Sequence, residues 1–443
     1  VWGKQREKYL IFDFFFRAEE KRKKRGSCKS PLLPFFPLPP CYLRLNKHQL
    51  LAGLRKIESM SFTFATATQI IFGAGAFDKV GSLASSLGQR VLVIGGRDLS
   101  RLDPLLSQLR DKNLPFETFS VPDEPSVSLI LGGLKQANAA KSDLVIAMGG
   151  GSVLDAGKAI SALMTNPGEP LDYLEVVGKG QPLKNRAAPF IAIPTTSGTG
   201  SEVTSNAVLS VPERQVKVSM RSPLMLPTVA LVDPILTYSL PRDITASTGL
   251  DALTQCLEPF VSNQANPLTD GFCREGLKRA AKSLQRACDF PDDADARTDM
   301  SLASLMGGLA LANAKLGAVH GFAGPLGGMI NAAHGNLCAS LLPHVVKANI
   351  TALRSRDSNS EFLKRYDEAA RILTGNDNAK ADDAVTWLQE LCKGLEVPKL
   401  STLGLTKDLI PEVVAKAQNA SSMKGNPVAL TANELTGILG AAM

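Results

Sequence analysis

The chain has 443 residues, of which 44% are hydrophobic and 6% aromatic, with 49 Lys and Arg against 42 Asp and Glu. That length suits two or three domains with buried cores, and no run approaches the roughly 18 apolar residues of a membrane helix, so composition argues against a membrane span, a collagen-like fibre, a disulfide miniprotein and wholesale disorder. The net charge of +7 is local: residues 1–59 hold 14 basic and 5 acidic side chains, the remainder 35 and 37, which leaves the main body without the composition of a nucleic-acid surface.

Seven cysteines (Cys28, Cys41, Cys256, Cys273, Cys288, Cys338 and Cys392) are scattered, odd in number and without a CxxC pair. They read as buried free thiols in a reducing compartment, hence a cytoplasmic expectation. Residues 1–59 combine the basic run Lys21–Arg25 with the Pro-rich PLLPFFPLPP. A nuclear address, a nucleic-acid patch or a transit peptide are possible readings. The preferred one is a disordered extension or translated upstream sequence, with Met60 as a plausible true start.

From residue 60 the texture changes. Residues 69–72 suit a short strand, and residues 77–87 a helix. The apolar run 91–94, closed by Gly95-Gly96, suits a strand buried on both faces. A helix over 99–109, a strand over 116–121, a helix over 129–140 and a strand over 143–148 follow. This alternation predicts a parallel, doubly wound α/β sheet, with ligands at the carboxyl ends of its strands.

Two loops then follow two strands. After the strand at 143–148 comes GGGSVLDAGK, and the next helix is expected from about Ser152 with Asp155 in its first turn. Glycines that let the backbone approach, together with the free N–H groups of a helix start, make an anion site suited to a pyrophosphate. A tight turn without ligand is the alternative. After the strand at 190–193 comes PTTSGTGSE, whose hydroxyls can bond phosphate, ribose or an amide. Residues 231–234 read as a last strand and exit turn.

Beyond residue 240 apolar residues recur at helical spacing, as in Leu250, Leu253, Leu257 and Phe260. This predicts a dinucleotide-binding α/β domain over 60–240 and an all-α domain over 241–443. Three of the four histidines, His320, His334 and His344, fall within 25 positions. Asp251 and Gln255 share one helix face. Two such groups and two imidazoles could ring a divalent cation, or be ordinary cap and core residues. Small residues around His320, with Phe322, suggest a small or apolar pocket.

These stretches resemble the iron-dependent (group III) alcohol dehydrogenases, which share a fold with dehydroquinate synthase. The resemblance rests on GGGSVLDAGK (149–158), IPTTSGTGSEVT (193–204), LVDPILTYSLP (231–241), TASTGLDALTQCLEP (245–259) and NAKLGAVHGFAGPLGGMINAAHG (313–335). It implies an NAD- or NADP-dependent oxidoreductase that interconverts an alcohol and an aldehyde or ketone by hydride transfer. It implies that Gly149, Gly150, Gly151, Ser152 and Asp155 hold the pyrophosphate region, and that Thr195, Thr196, Ser197 and Thr199 line the cofactor loop. Asp251, His320 and His334 fall on three metal-ligand positions and are the expected catalytic centre, for Fe²⁺ or Zn²⁺. The fourth ligand position carries Gln255, and the position four after His320, often another His, carries Gly324. Gly96 stands where NAD-preferring members often have an acid, and Arg97 beside it can pair with a 2′-phosphate, so NADP is expected to be accepted. A small-molecule substrate and a homo-oligomer are expected, with no nucleic acid or membrane partner. The competing readings are a metal-free NAD(P)H reductase like the maleylacetate reductases and a dinucleotide-binding relative without catalysis.

Overall fold

The computed structural model describes residues 61–214, 216–330 and 332–443. The reading of residues 1–59 lies outside them. Eight strands open the described chain: β1 (Gln69–Phe72), β2 (Val91–Gly95), β3 (Phe116–Ser120), β4 (Leu144–Gly149), β5 (Phe190–Pro194), β6 (Asn206–Val211), β7 (Val216–Arg221) and β8 (Val229–Val232). Four helices alternate with the first of them: α1 (Val80–Leu87), α2 (Asp103–Asp111), α3 (Val127–Ala140) and α4 (Gly151–Thr165). Apart from a single turn at Pro170–Tyr173, nine more follow: α5 (Arg242–Val261), α6 (Pro267–Asp289), α7 (Ala294–Asn313), α8 (Ala318–Met329), α9 (His334–Arg356), α10 (Glu361–Thr374), α11 (Ala381–Gly394), α12 (Ile410–Asn419) and α13 (Ala432–Ala442).

Six strands form one parallel sheet in the order β1-β8-β5-β4-β2-β3. Strands β2, β4, β5 and β8 are buried at every residue. Helices cover both faces, which is why these strands read as unbroken apolar runs. The chain runs from β2 to β3 on one side and then returns to place β4 on the other side of β2. Ligand crevices form at such a reversal. The loops after β2, β4 and β5 therefore emerge side by side.

The expected elements appear with shifted ends. Helix α1 is preceded by a 3-10 turn at Ala76–Lys79, and α2 by one at Leu99–Leu102. Helix α4 starts at Gly151, so Asp155 falls in the second turn and not the first. The antiparallel hairpin β6–β7 was not anticipated. Its signal was present: Ala207, Leu209 and Val211 are buried in alternation with more open residues, the period of a half-covered strand.

After β8 the chain is helical. Helix α5 is buried from Thr245 to Val261 except at Thr248. It packs on α6, α7 and α9, and its Leu250, Leu253, Leu257 and Phe260 enter the largest apolar core. Phe322 is also fully buried in that core, so it does not line a pocket beside His320 as the sequence suggested.

Candidate active site

The turn between β4 and α4 is built for close approach. Helix α4 begins directly after Gly150, so its first N–H groups have no intrahelical partners and face the crevice. A Cβ on Gly151 would lie 2.7 Å from the Thr199 methyl, so only glycine lets the two loops meet. The Thr195 N–H donates to the Gly149 carbonyl (2.9 Å), joining the loops side by side. Gly149, Gly150, Gly151 and Ser152 thus share one crevice with Thr195, Thr196 and Thr199. Gly96 follows the neighbouring strand β2, and an added Cβ there would meet nothing within 4 Å. Arg97 does not stand free: it pairs with Asp123 at 2.7 Å, and both side chains are mostly exposed.

Asp155 is placed differently from a ligand-facing carboxylate. One oxygen accepts from the Ser201 hydroxyl (2.6 Å) and lies 3.0 Å from Lys158 Nζ; the other accepts from the Val208 N–H (2.9 Å). Its bonds brace α4 against the hydroxyl loop and the β6–β7 hairpin. Lys158 is fully buried and also donates to Thr204 (2.8 Å). Burial pulls its pKa down against the pull of Asp155. Nearby Glu202 is buried as well, which pushes its pKa up to about 7. None of these roles for Lys158, Glu202 or Thr204 was legible in the motif alone.

The hydroxyl loop is also pinned to the helices. Ser197 and Ser301 share a hydroxyl–hydroxyl bond of 3.2 Å. Gly200, at φ +60°, lies against Gly308 of α7 so closely that a Cβ on either would meet the other's backbone within 2.5 Å. This contact fixes the hydroxyl loop against α7, which packs on the helix that carries Asp251.

That cluster draws on three helices. Asp251 sits mid-way along α5, His320 in the first turn of α8, and His334 at the start of α9. Asp251 Oδ1 lies 3.3 Å from His320 Nε2 and 3.9 Å from His334 Nε2. The rings of the two histidines are 5.4 Å apart. Cys338, one turn after His334 on α9, brings its Sγ to 3.6 Å from His334 Nε2 and 3.9 Å from His320 Nε2. One donor atom from each of the four residues lies within 4.8 Å of all the others. His344 lies two helical turns further along α9 and is not in the group.

A second layer orients these donors. Glu258, two turns after Asp251 on α5, accepts from the Val319 N–H (2.7 Å) and from His320 Nδ1 (2.6 Å). With Nδ1 committed to Glu258, Nε2 is the ring nitrogen left to face Asp251. Gln255 Nε2 donates to Asp251 Oδ2 (2.9 Å). The reverse amide placement would set oxygen against oxygen. Asp251 Oδ1 is buried and has no hydrogen-bond partner, and neither has Gln255 Oε1.

Charge follows from the crowding. Burial would raise the Asp251 pKa, but His320, His334 and Gln255 outweigh it and hold the carboxyl below its usual value. Burial would lower that of His320, but Cys338, Asp251 and Glu258 hold it well above its usual value. His334, chiefly beside Cys338, is pushed up to about 9. Electron pairs from four residues converge, and only protons or a cation can relieve them. An orphaned buried carboxylate oxygen facing two imidazole nitrogens fits a divalent cation.

The sequence reading brought together Asp251, His320, His334 and Gln255. It missed Glu258, whose spacing of seven from Asp251 was the available signal, and it counted Cys338 among inert thiols. The thiol is indeed buried, but it belongs to the cluster.

Comparison with known proteins agrees with this layout. The family model "Iron-containing alcohol dehydrogenase" matches residues 67–234, and its C-terminal counterpart, "Fe-containing alcohol dehydrogenase family, C-terminal", matches residues 245–443. The chain is 33% identical to the choline dehydrogenase of Bacillus subtilis over 84% of this chain and 93% of that one. It is 34% identical to alcohol dehydrogenase 4 of Saccharomyces cerevisiae, over 76% and 85% of the two chains. Among solved structures, a 1,3-propanediol oxidoreductase superposes with a TM-score of 0.81 at 30% identity, over 87% of this chain and all of that one. Sulfoacetaldehyde reductase of Bifidobacterium kashiwanohense, in complex with NAD⁺, superposes with a TM-score of 0.76 at 27% identity, over 87% and 99%.

Proposed function

The chain belongs to the iron-containing alcohol dehydrogenase family and is an oxidoreductase of that type, and from this premise we propose that it interconverts a small alcohol and its aldehyde or ketone at Asp251, His320 and His334. The observation that carries the reading is the convergence of Asp251 Oδ1, orphaned and buried, with two imidazole nitrogens. A divalent cation held there would lower the pKa of an alcohol hydroxyl and polarise a carbonyl, while the dinucleotide takes or gives the hydride.

The protein's own share is placement. The backbone N–H groups at 150–152 and the hydroxyls of Thr195, Thr196 and Thr199 bind the dinucleotide. The contacts of Ser197 with Ser301 and of Gly200 with Gly308 set that loop beside α7. Glu258 and Gln255 aim His320 and Asp251. Gly324 itself offers no base, and an added Cβ there would meet nothing within 4 Å, so solvent has room to carry the hydroxyl proton.

The same reading extends to NADP as well as NAD. Gly96 presents no carboxylate to repel a 2′-phosphate. The Arg97–Asp123 pair is exposed, and such pairs contribute about 0–1 kcal/mol, so a phosphate can displace Asp123. A reducing, cytoplasmic setting accords with the free, buried thiols of Cys256, Cys273, Cys288, Cys338 and Cys392.

The test is turnover of a panel of short alcohols and aldehydes with each coenzyme, after loading with Fe²⁺ or Zn²⁺ and again after chelation. Metal-dependent turnover is expected. Activity indifferent to chelation would replace the reading with a metal-free reductase, and coenzyme binding without turnover would replace it with a binding protein.

A further inference from the structure

We infer that Cys338 is a cation ligand of this chain, completing an Asp-His-His-Cys set in which Gln255 positions Asp251. This rests on the metal-site reading above and specifies its donors.

The geometry is the first ground. Tetrahedral bonds of about 2.0–2.1 Å to nitrogen or oxygen and about 2.3 Å to sulfur put neighbouring donors about 3.4–3.6 Å apart. Four of the six separations are 3.3 Å for Asp251–His320, 3.6 Å for Cys338–His334, and 3.9 Å for both Cys338–His320 and Asp251–His334, and the other two lie within 4.8 Å. Small rotations of side chains would close the longer ones onto a common centre. The fully buried Cys338 lies four residues after His334 on α9, so the helix holds both donors on one face.

Gln255 is the second ground. Its Nε2 is committed to Asp251 Oδ2, which turns Oδ1 inward without a partner. A neutral amide oxygen is also a poorer ligand for a transition metal than a thiolate. The weak donor on α5 is thus matched by a strong one on α9. A thiolate is a soft ligand and favours Zn²⁺ over harder cations.

Cobalt(II) reports both questions at once, through d–d bands for any low-symmetry site and a near-ultraviolet charge-transfer band for a thiolate ligand. The full chain, stripped by chelator and loaded with Co²⁺, should show both. Cys338→Ser should keep the d–d bands, lose the charge-transfer band and bind Zn²⁺ at least about tenfold more weakly, since even outer-layer changes cost that much. Gln255→Ala should keep the charge-transfer band. Zinc-edge absorption on the unsubstituted protein guards against a variant that fails to fold: one sulfur at about 2.3 Å is expected. Co²⁺ bound without a charge-transfer band, or a zinc shell of nitrogen and oxygen only, would overturn the Cys338 assignment and leave the site standing. No Co²⁺ or Zn²⁺ bound at all would overturn the site and the assignment together.

Discussion

Asp155→Ala would leave the Lys158 ammonium fully buried with only a hydroxyl and a Glu202 that is about half ionised at neutral pH for company. Breaking one side of a buried pair costs about 3–5 kcal/mol. Chemical unfolding of the variant should show a loss of that size, and one below about 1 kcal/mol would refute the bracing role. Glu202 makes a pH prediction. Its folded pKa of about 7 exceeds the ordinary 4.5, so the folded state keeps the proton longer than the unfolded state. Stability conferred relative to the ionised form is therefore complete below 4.5 and lost as pH rises to about 7. Glu202→Gln should flatten this fall, on the order of 3 kcal/mol across the window, read as unfolding free energy at several pH values. At Gly96 the open space admits a side chain. Gly96→Asp should shift the NADP-to-NAD ratio of kcat/KM towards NAD by about tenfold or more, the weight of roughly 1.4 kcal/mol of repulsion. An unchanged ratio would separate this loop from the ribose.

Elements meet in this protein through missing side chains. Gly308 of α7 and Gly200 of the hydroxyl loop touch backbone to backbone. Gly308→Ala would thrust a Cβ to 2.5 Å from the Gly200 carbonyl oxygen. Overpacking of this kind costs about 1–3 kcal/mol. The loop would also shift from α7, so the coenzyme Kd should rise along with the lowered Tm. A variant with lowered Tm and unaltered coenzyme binding would show that this contact is structural only. At this scale much was legible beforehand. The runs 91–94 and 190–193 are short, apolar and stopped by Gly or Pro, and both are central strands. The β6–β7 hairpin stands apart from the six-stranded sheet, and its only local signal is the alternation of Ala207, Leu209 and Val211. The ends of α1 and α2 differed from expectation because a 3-10 turn carries nearly the same apolar spacing as the helix it precedes.

Across the whole molecule, sheet loops and helical cluster are joined through the hydroxyl loop, so each ligand should stabilise the described fold as well as its own site. Zn²⁺ at one hundred times its Kd should contribute about 2.7 kcal/mol, seen as a Tm that rises with added metal and falls on chelation. A Tm indifferent to metal would contradict the site. The sequence by itself determined what depends on neighbours along the chain: which runs become strands, where glycines let backbone approach, that α5 carries Asp251 and Gln255 on one face, and which family the motifs resemble. Tertiary structure alone decided what depends on separate segments. The strand order that sets three loops side by side, the turning of Asp155 inward to Lys158, and the meeting of Asp251, Glu258, His320, His334 and Cys338 all required three helices and a sheet to dock. Periodicity reports which face of an element is buried, but it holds no information on what is buried opposite. A cysteine among apolar neighbours therefore looks inert until packing delivers two imidazoles to its sulfur.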